Sequence, residues 1–252
     1  MKNIFPLCML LTVMFSCEEG VVYQNQSSSN NGSSGTTGTG GSTARFTIAN
    51  DHLYIATDEA LSTYSIEDPL KPDFKSQQAF FNVETIFSLD NHLYLGTQVG
   101  VLIFDISTPN NPLHLSTYSH ITSCDPVVVQ GNYAYSTLRS GGQGCWRGVN
   151  SLDIIDITNK EDPRLVSQNP MVGPIGLGIS GDHLYVCDDD HIKHFDVSNP
   201  TLPSYIRETE LMGCFDVIIN GERLIAVSNQ GVSQYKIEPS GFLTPLSTIK
   251  KE

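Results

Sequence analysis

Basic residues are scarce in this chain. Fourteen Lys and Arg stand against 27 Asp and Glu, a formal net charge of −13. Such a surface repels nucleic acid and anionic bilayers, which excludes both as partners of the folded part. It favours cations or basic protein patches, and it also serves solubility. No stretch holds a sustained helical period, so repeated helix pairs are excluded. The apolar run at residues 4–15 is too short to span a bilayer. No paired Cys-x-x-Cys or Cys/His spacing offers a zinc site. A nucleophile elbow, a phosphate-cradling Gly loop and a zinc-protease helix are also missing. Tryptophan occurs once, at Trp146.

What is present is repetition. From Arg45 onward one unit of about forty residues is written five times. The units align on the aromatic of His-Leu-Tyr at Tyr54, Tyr94, Tyr135 and Tyr185, with Ile225 in the last copy. The next apolar run starts at Leu61, Val101, Ile192 and Val232. In the third copy it starts ten residues late, at Leu152. A proline follows at Pro72, Pro112 and Pro203, with Pro163 displaced by the same insertion. Self-similarity at this period means a propeller or a solenoid.

The second copy reads as four short strands: residues 83–89, 92–97, 101–106 and 113–118, separated by turn signals. Such a meander is a propeller blade. One face of the third strand is apolar in every copy, as in Leu102-Phe104-Ile106 and Phe195-Val197. The other face is mixed, which suits sheets stacked around an axis. In the corner Asp105-Ile106-Ser107-Thr108-Pro109, repeated as Asp196-Val197-Ser198-Asn199-Pro200, Asp and Ser bond the following backbone and Pro ends the ladder.

The segment 101–105 and its counterpart 152–156 resemble the LVIVD repeat, including the Asp-Ile-Ser-x-Pro corner. The resemblance covers residues 46–249 and departs from the motif at Ser65 and Lys236 in the terminal copies. It implies a β-propeller that is extracellular or surface-attached, with no shared activity. The expected fold is all-β: five four-stranded blades over residues 45–252.

Two segments precede the blades. Residues 1–16, with Lys2 ahead of the apolar run and Cys17 behind it, resemble a bacterial lipoprotein signal that is cleaved before a lipidated Cys17. Glu18-Glu19 resembles a tag for surface export. The expected address is the cell envelope, as an outer membrane lipoprotein anchored by lipid and exposed at the surface. Residues 24–43 are almost entirely Ser, Asn, Gly, Thr and Gln, too polar to order themselves. Residues 17–44 are therefore expected to form a tether that holds the domain ~25 Å from its anchor.

The remaining candidates map to the end of the propeller where second strands finish and innermost strands start. An exported chain with Cys124, Cys145, Cys187 and Cys214 suggests disulfides. Of three pairings, Cys124–Cys145 within one blade and Cys187–Cys214 between neighbours are favoured. The insertion carries Trp146 and Arg147, typical binding anchors. Asp188, Asp189 and Asp190 could hold Ca²⁺ through oxygen, although an acidic hairpin tip explains them equally; no other cofactor is expected. His191 and His194 fall on opposite sides of a strand. Glu84, Asp125 and Asp216 sit near innermost-strand starts, where two carboxylates across a channel would suit glycosidase chemistry.

The expected function is a non-catalytic binding or scaffolding propeller for a protein or glycan ligand. The alternatives are a small carbohydrate-active enzyme and a structural subunit of an outer-membrane assembly.

Overall fold

The structure, a computed structural model, describes residues 41–80, 82–120, 126–141 and 149–251. Among them are twenty strands and no helix. The first blade holds β1 (Phe46–Ala49), β2 (His52–Ala56), β3 (Ala60–Ser65) and β4 (Asp73–Ala79). The second holds β5 (Val83–Leu89), β6 (His92–Thr97), β7 (Gly100–Asp105) and β8 (Leu113–Ser119). The third holds β9 (Val127–Gln130), β10 (Tyr133–Leu138), β11 (Ser151–Asp156) and β12 (Arg164–Pro170). The fourth holds β13 (Pro174–Ser180), β14 (His183–Asp188), β15 (His191–Asp196) and β16 (Ser204–Glu210). The fifth holds β17 (Cys214–Asn220), β18 (Arg223–Ser228), β19 (Gly231–Ile237) and β20 (Leu243–Lys250).

Each blade is a sheet of four consecutive antiparallel strands, and among the described residues no strand is exchanged between sheets. The turn from first to second strand uses left-handed residues in every copy: Asn50 and Asp51, Asp90, Gly131, Gly181 and Gly221. These are the residue types that tolerate positive φ in tight hairpins. A register shift recurs between third and fourth strands at Thr63/Tyr64, Ile103/Phe104, Ile154/Ile155, His194/Phe195 and Gln234/Tyr235. One bulge per blade at the same place adds twist to each outer ribbon.

The repeated tyrosine packs each blade on the next. Tyr54, Tyr94, Tyr135 and Tyr185 are all fully buried. Tyr54 donates its hydroxyl hydrogen to the Pro109 carbonyl and Tyr185 to that of Gly241, both in the following blade's corner. The ring is thus buried and its polar tip is satisfied. Hydrophobic clusters join the first blade to the second, second to third, third to fourth and fourth to fifth. Among the described residues no such cluster joins fifth to first. Ile225, Val227 and Val232 on the fifth blade and Leu53 and Ile55 on the first are only half-buried. Ile225 stands where the other copies have tyrosine, on this half-buried face.

Candidate functional site: the mouth of the channel

The pairing registers put three kinds of strand end at one pole. Val83, Pro174 and Cys214, the starts of innermost strands, face Thr97, Asp188 and Ser228, the ends of second strands. Third strands start beside them at Gly100, Ser151, His191 and Gly231. This pole is the mouth.

A strap crosses it. Residues 41–44, expected at the end of the tether, are packed against the ring, so the folded unit starts earlier than residue 45. Ser42 is 1% exposed. Its hydroxyl donates to Asp216 Oδ1 at 3.0 Å and accepts the Leu177 N–H at 2.8 Å. Thr43 donates to Asp216 Oδ2 at 2.6 Å, and the Ile86 N–H donates to the Ala44 carbonyl at 2.9 Å. The strap therefore bonds to the second, fourth and fifth blades. Short polar side chains that look like disordered linker in sequence act here as partners for a buried carboxylate.

Asp216 is accordingly no ligand-facing group, a correction to its expected place among the binding and catalytic candidates. It is 6% exposed and occupied by the strap. Burial raises the pKa of its carboxyl, while the Thr43 and Ser42 hydrogen bonds oppose that rise. Glu84 does line the mouth, together with Thr43, Arg45, Pro126, Arg139 and Pro174, around a cavity of about 260 Å³. Beneath the strap lies a second cavity of about 200 Å³, lined mainly by apolar residues such as Ile86, Val128, Leu177 and Val217. There the Thr47 and Ser88 hydroxyls bond each other at 2.8 Å. Arg45 pairs with Asp58 at the rim.

The described residues that flank the insertion lie at the mouth. The Ser140 N–H and hydroxyl donate to Asn150 Oδ1 at 2.8 and 2.9 Å, and the Asn150 amide donates to the Val172 carbonyl. Its two stems are therefore tied to each other and to the fourth blade. Cys124, Asp125, Cys145, Trp146 and Arg147, like Cys17, lie outside the described residues. The other expected bond, Cys187–Cys214, is present and links β14 to β17 at the mouth.

The three aspartates of the fourth blade do not form the oxygen cage that Ca²⁺ requires. Asp188 is fully buried, accepts the Val172 and Gly173 N–H groups and pairs with Lys193 at 2.6 Å. Asp190 accepts the Gly213 N–H, and Asp189 occupies the left-handed turn position with φ 57°. Each is committed to backbone or turn. Among the described residues no group of three or more His, Cys, Asp or Glu side chains converges.

One cluster escapes sequence reading. His194 is buried at the interface of the fourth and fifth blades, stacked on Tyr185 with centroids 4.9 Å apart. Its Nε2 lies 3.1 Å from His183 Nδ1, and its own Nδ1 has no hydrogen-bond partner. Burial, aided by the neighbouring His183 and Arg207, lowers its pKa to about 4. The only signal was a histidine where the second and third blades have Ile103 and Ile154.

Blades built this way define a β-propeller. The LVIVD repeat model matches residues 147–169 and 176–208, in the third and fourth blades. No curated protein matches the sequence. Among solved structures, a protein of unknown function from Desulfotomaculum acetoxidans superposes with a TM-score of 0.66 at 11% identity, over 82% of this chain and 69% of that one. The periplasmic gluconolactonase PpgL of Pseudomonas aeruginosa superposes with a TM-score of 0.64 at 12% identity, over 79% and 67%. BamB of Moraxella catarrhalis gives 0.53 at 14% identity, over 84% and 67%. At these identities the likeness concerns the propeller fold alone.

Proposed function

We propose that this chain is an envelope lipoprotein, anchored through a lipid on Cys17, whose propeller binds a protein or glycan ligand at the strapped mouth without transforming it. The observation that carries the binding reading is the mouth itself. Side chains from the strap and the second, third and fourth blades meet around one cavity, and the stems of the Trp146 insertion are fixed beside it. Loops gathered on a rigid scaffold are where propellers and other repeat folds place recognition. Of the three candidate carboxylates, Glu84, Asp125 and Asp216, the last is engaged by the strap and is unavailable to a glycosidase pair.

Two experiments test this. Growth with a labelled fatty acid should mark the wild type and leave Cys17→Ser unlabelled; label in the variant would end the lipoprotein reading. A glycan and envelope-protein binding screen should yield a ligand that Trp146→Ala loses by about tenfold or more. Turnover of a bound glycan by the purified protein would favour the enzyme instead.

A further inference from the structure

We propose that the mouth docks a protein segment that carries apolar side chains beside lysine or arginine. The inference rests on the binding reading above and chooses a protein ligand over a glycan. Four large apolar side chains stand exposed along this pole: Val149, Val172, Met212 and Phe215, at 42, 63, 47 and 38%. They come from the segments that enter β11, β13 and β17, in three different blades. Hydrogen bonds fix these segments as neighbours. The Asn150 amide donates to the Val172 carbonyl and the Met171 N–H to the Asn150 carbonyl, which joins Val149 to Val172. The Val172 and Gly173 N–H groups donate to Asp188, and the Gly213 N–H donates to Asp190. The hairpin tip at residues 188–190 is thus held between Val172 on one side and the Met212 loop on the other. At the opposite pole Leu70, Leu202 and Phe242 are exposed one to a corner, and Arg207 lies over the Phe242 ring.

A strip of exposed apolar side chains marks a protein contact, because burying it against a partner recovers free energy that exposure to water costs. The backbone N–H groups that border the strip are committed to Asp188 and Asp190, so they are not offered to the hydroxyls of a sugar. Charge sets the rest of the partner's chemistry. Asp189 and Asp190 lie in the hairpin between Val172 and Met212, and exposed Glu210 ends β16 opposite His191. Lys193, the cation of the adjoining strand β15, is taken by Asp188 at 2.6 Å. Lys250 and Lys251 stand at the end of the outermost strand β20, with Asn229 and Gln230. The strip is therefore apolar with carboxylates in its middle, and the segment complementary to it is apolar with cations.

The test is fluorescence anisotropy on the full-length protein in non-ionic detergent, with detergent alone as the blank. The probes are peptides of equal length in which Leu alternates with Lys, Leu with Glu, or Ser with Lys. The Leu/Lys peptide should bind, and each of the others about tenfold more weakly or worse. Val172→Ser and Met212→Ser should each weaken the Leu/Lys peptide by about fivefold or more, with Leu202→Ser at the opposite pole as the unaffected control. Asp189→Asn, which keeps the left-handed turn, should weaken it at low salt and leave it unchanged at high salt. On wild-type protein the bound peptide should slow peroxide oxidation of Met212, which locates the contact without any variant. Equal binding of the Ser/Lys peptide overturns the inference, because charge alone would then suffice. Equal binding of the Leu/Glu peptide overturns it as well, because the carboxylates would then select nothing. Unchanged oxidation of Met212 with peptide bound overturns it by placing the contact elsewhere. If a neutral oligosaccharide binds and no peptide does, this inference falls and the binding reading stands; if neither binds, both fall.

Discussion

Asp216 and His194 are buried ionisable groups whose roles follow from what covers them. Asp216→Ala would leave the Ser42 and Thr43 hydroxyls buried without an acceptor and should cost about 2–3 kcal/mol in urea unfolding at pH 7. Asp216→Asn keeps one carbonyl acceptor and should cost less. If both variants unfold with the wild-type midpoint, the strap is not bonded as described. For His194 the folded pKa is depressed to about 4 from the ordinary 6.5. The unfolded chain therefore binds a proton first as pH falls. The contribution of His194 is fully present above about pH 6.5 and is lost progressively toward pH 4. Asp153 and Asp216, whose pKa values are raised by burial, act in the opposite sense: in the folded protein they take up protons above their ordinary range. The His194 contribution is isolated by comparing wild type with His194→Ile, the residue that two other blades use. The wild type should lose on the order of 1–2 kcal/mol more than the variant between pH 6.5 and 4, a value discounted for the partly solvated His183 side of the pair. Parallel pH profiles would refute the assignment.

At the scale of the element, most of the blade was legible because its determinants are local. Strand alternation, the Asp or Gly hairpin turns and the Pro corner are written into each forty-residue copy, and the second blade's strands fall within a residue or so of their expected limits. Of the contacts between blades, the Cys187–Cys214 bond was legible from its thiols, whereas the tyrosines served only to align the copies. Innermost strands meet between other blades too, but β13 approaches β17 through two glycines. Gly176 and Gly178 look like ordinary strand interruptions, yet a Cβ on Gly176 would lie 2.5 Å from Asp216 Cα and one on Gly178 2.9 Å from Ile219 Cγ1. Beside Gly176 the neighbour is backbone, which cannot move aside as a flexible side chain could. Gly176→Val should therefore destabilise by about 3 kcal/mol or more, measured by thermal unfolding, whereas Gly181→Ala in an open turn is limited to its positive-φ penalty of about 1 kcal/mol. Cys187–Cys214 staples the same two blades across a separation of 27 residues. Replacing both cysteines by serine should cost about 3.5 kcal/mol by loop entropy. No loss of stability would mean that the glycine-mediated contact, the buried cluster and the Tyr185 hydrogen bond hold the blades together without the disulfide.

At the scale of the molecule the question is how five complete sheets close. Among the described residues no sheet borrows a strand from the other end of the chain, and the fifth and first blades present half-buried faces where every other pair shares a buried cluster. The described contacts that reach the fifth blade from the chain's leading end run through the strap to Asp216. The composition of residues 24–43 hid this, since Ser and Thr side chains in a Gly-rich segment are ordinarily solvated; only the buried carboxylate opposite gives them a reason to order. If the strap is the clasp, its removal has a spatial signature. A chain lacking residues 1–40 should keep wild-type stability, and one lacking residues 1–44 should lose about 3 kcal/mol. Amide hydrogen exchange would accelerate first in β1 and β17, which flank the seam, and last in β9–β12 of the third blade, whose two interfaces are untouched. Uniform acceleration through all five blades would instead mean that the ring unfolds as one cooperative unit and that the strap stabilises it without guarding the seam.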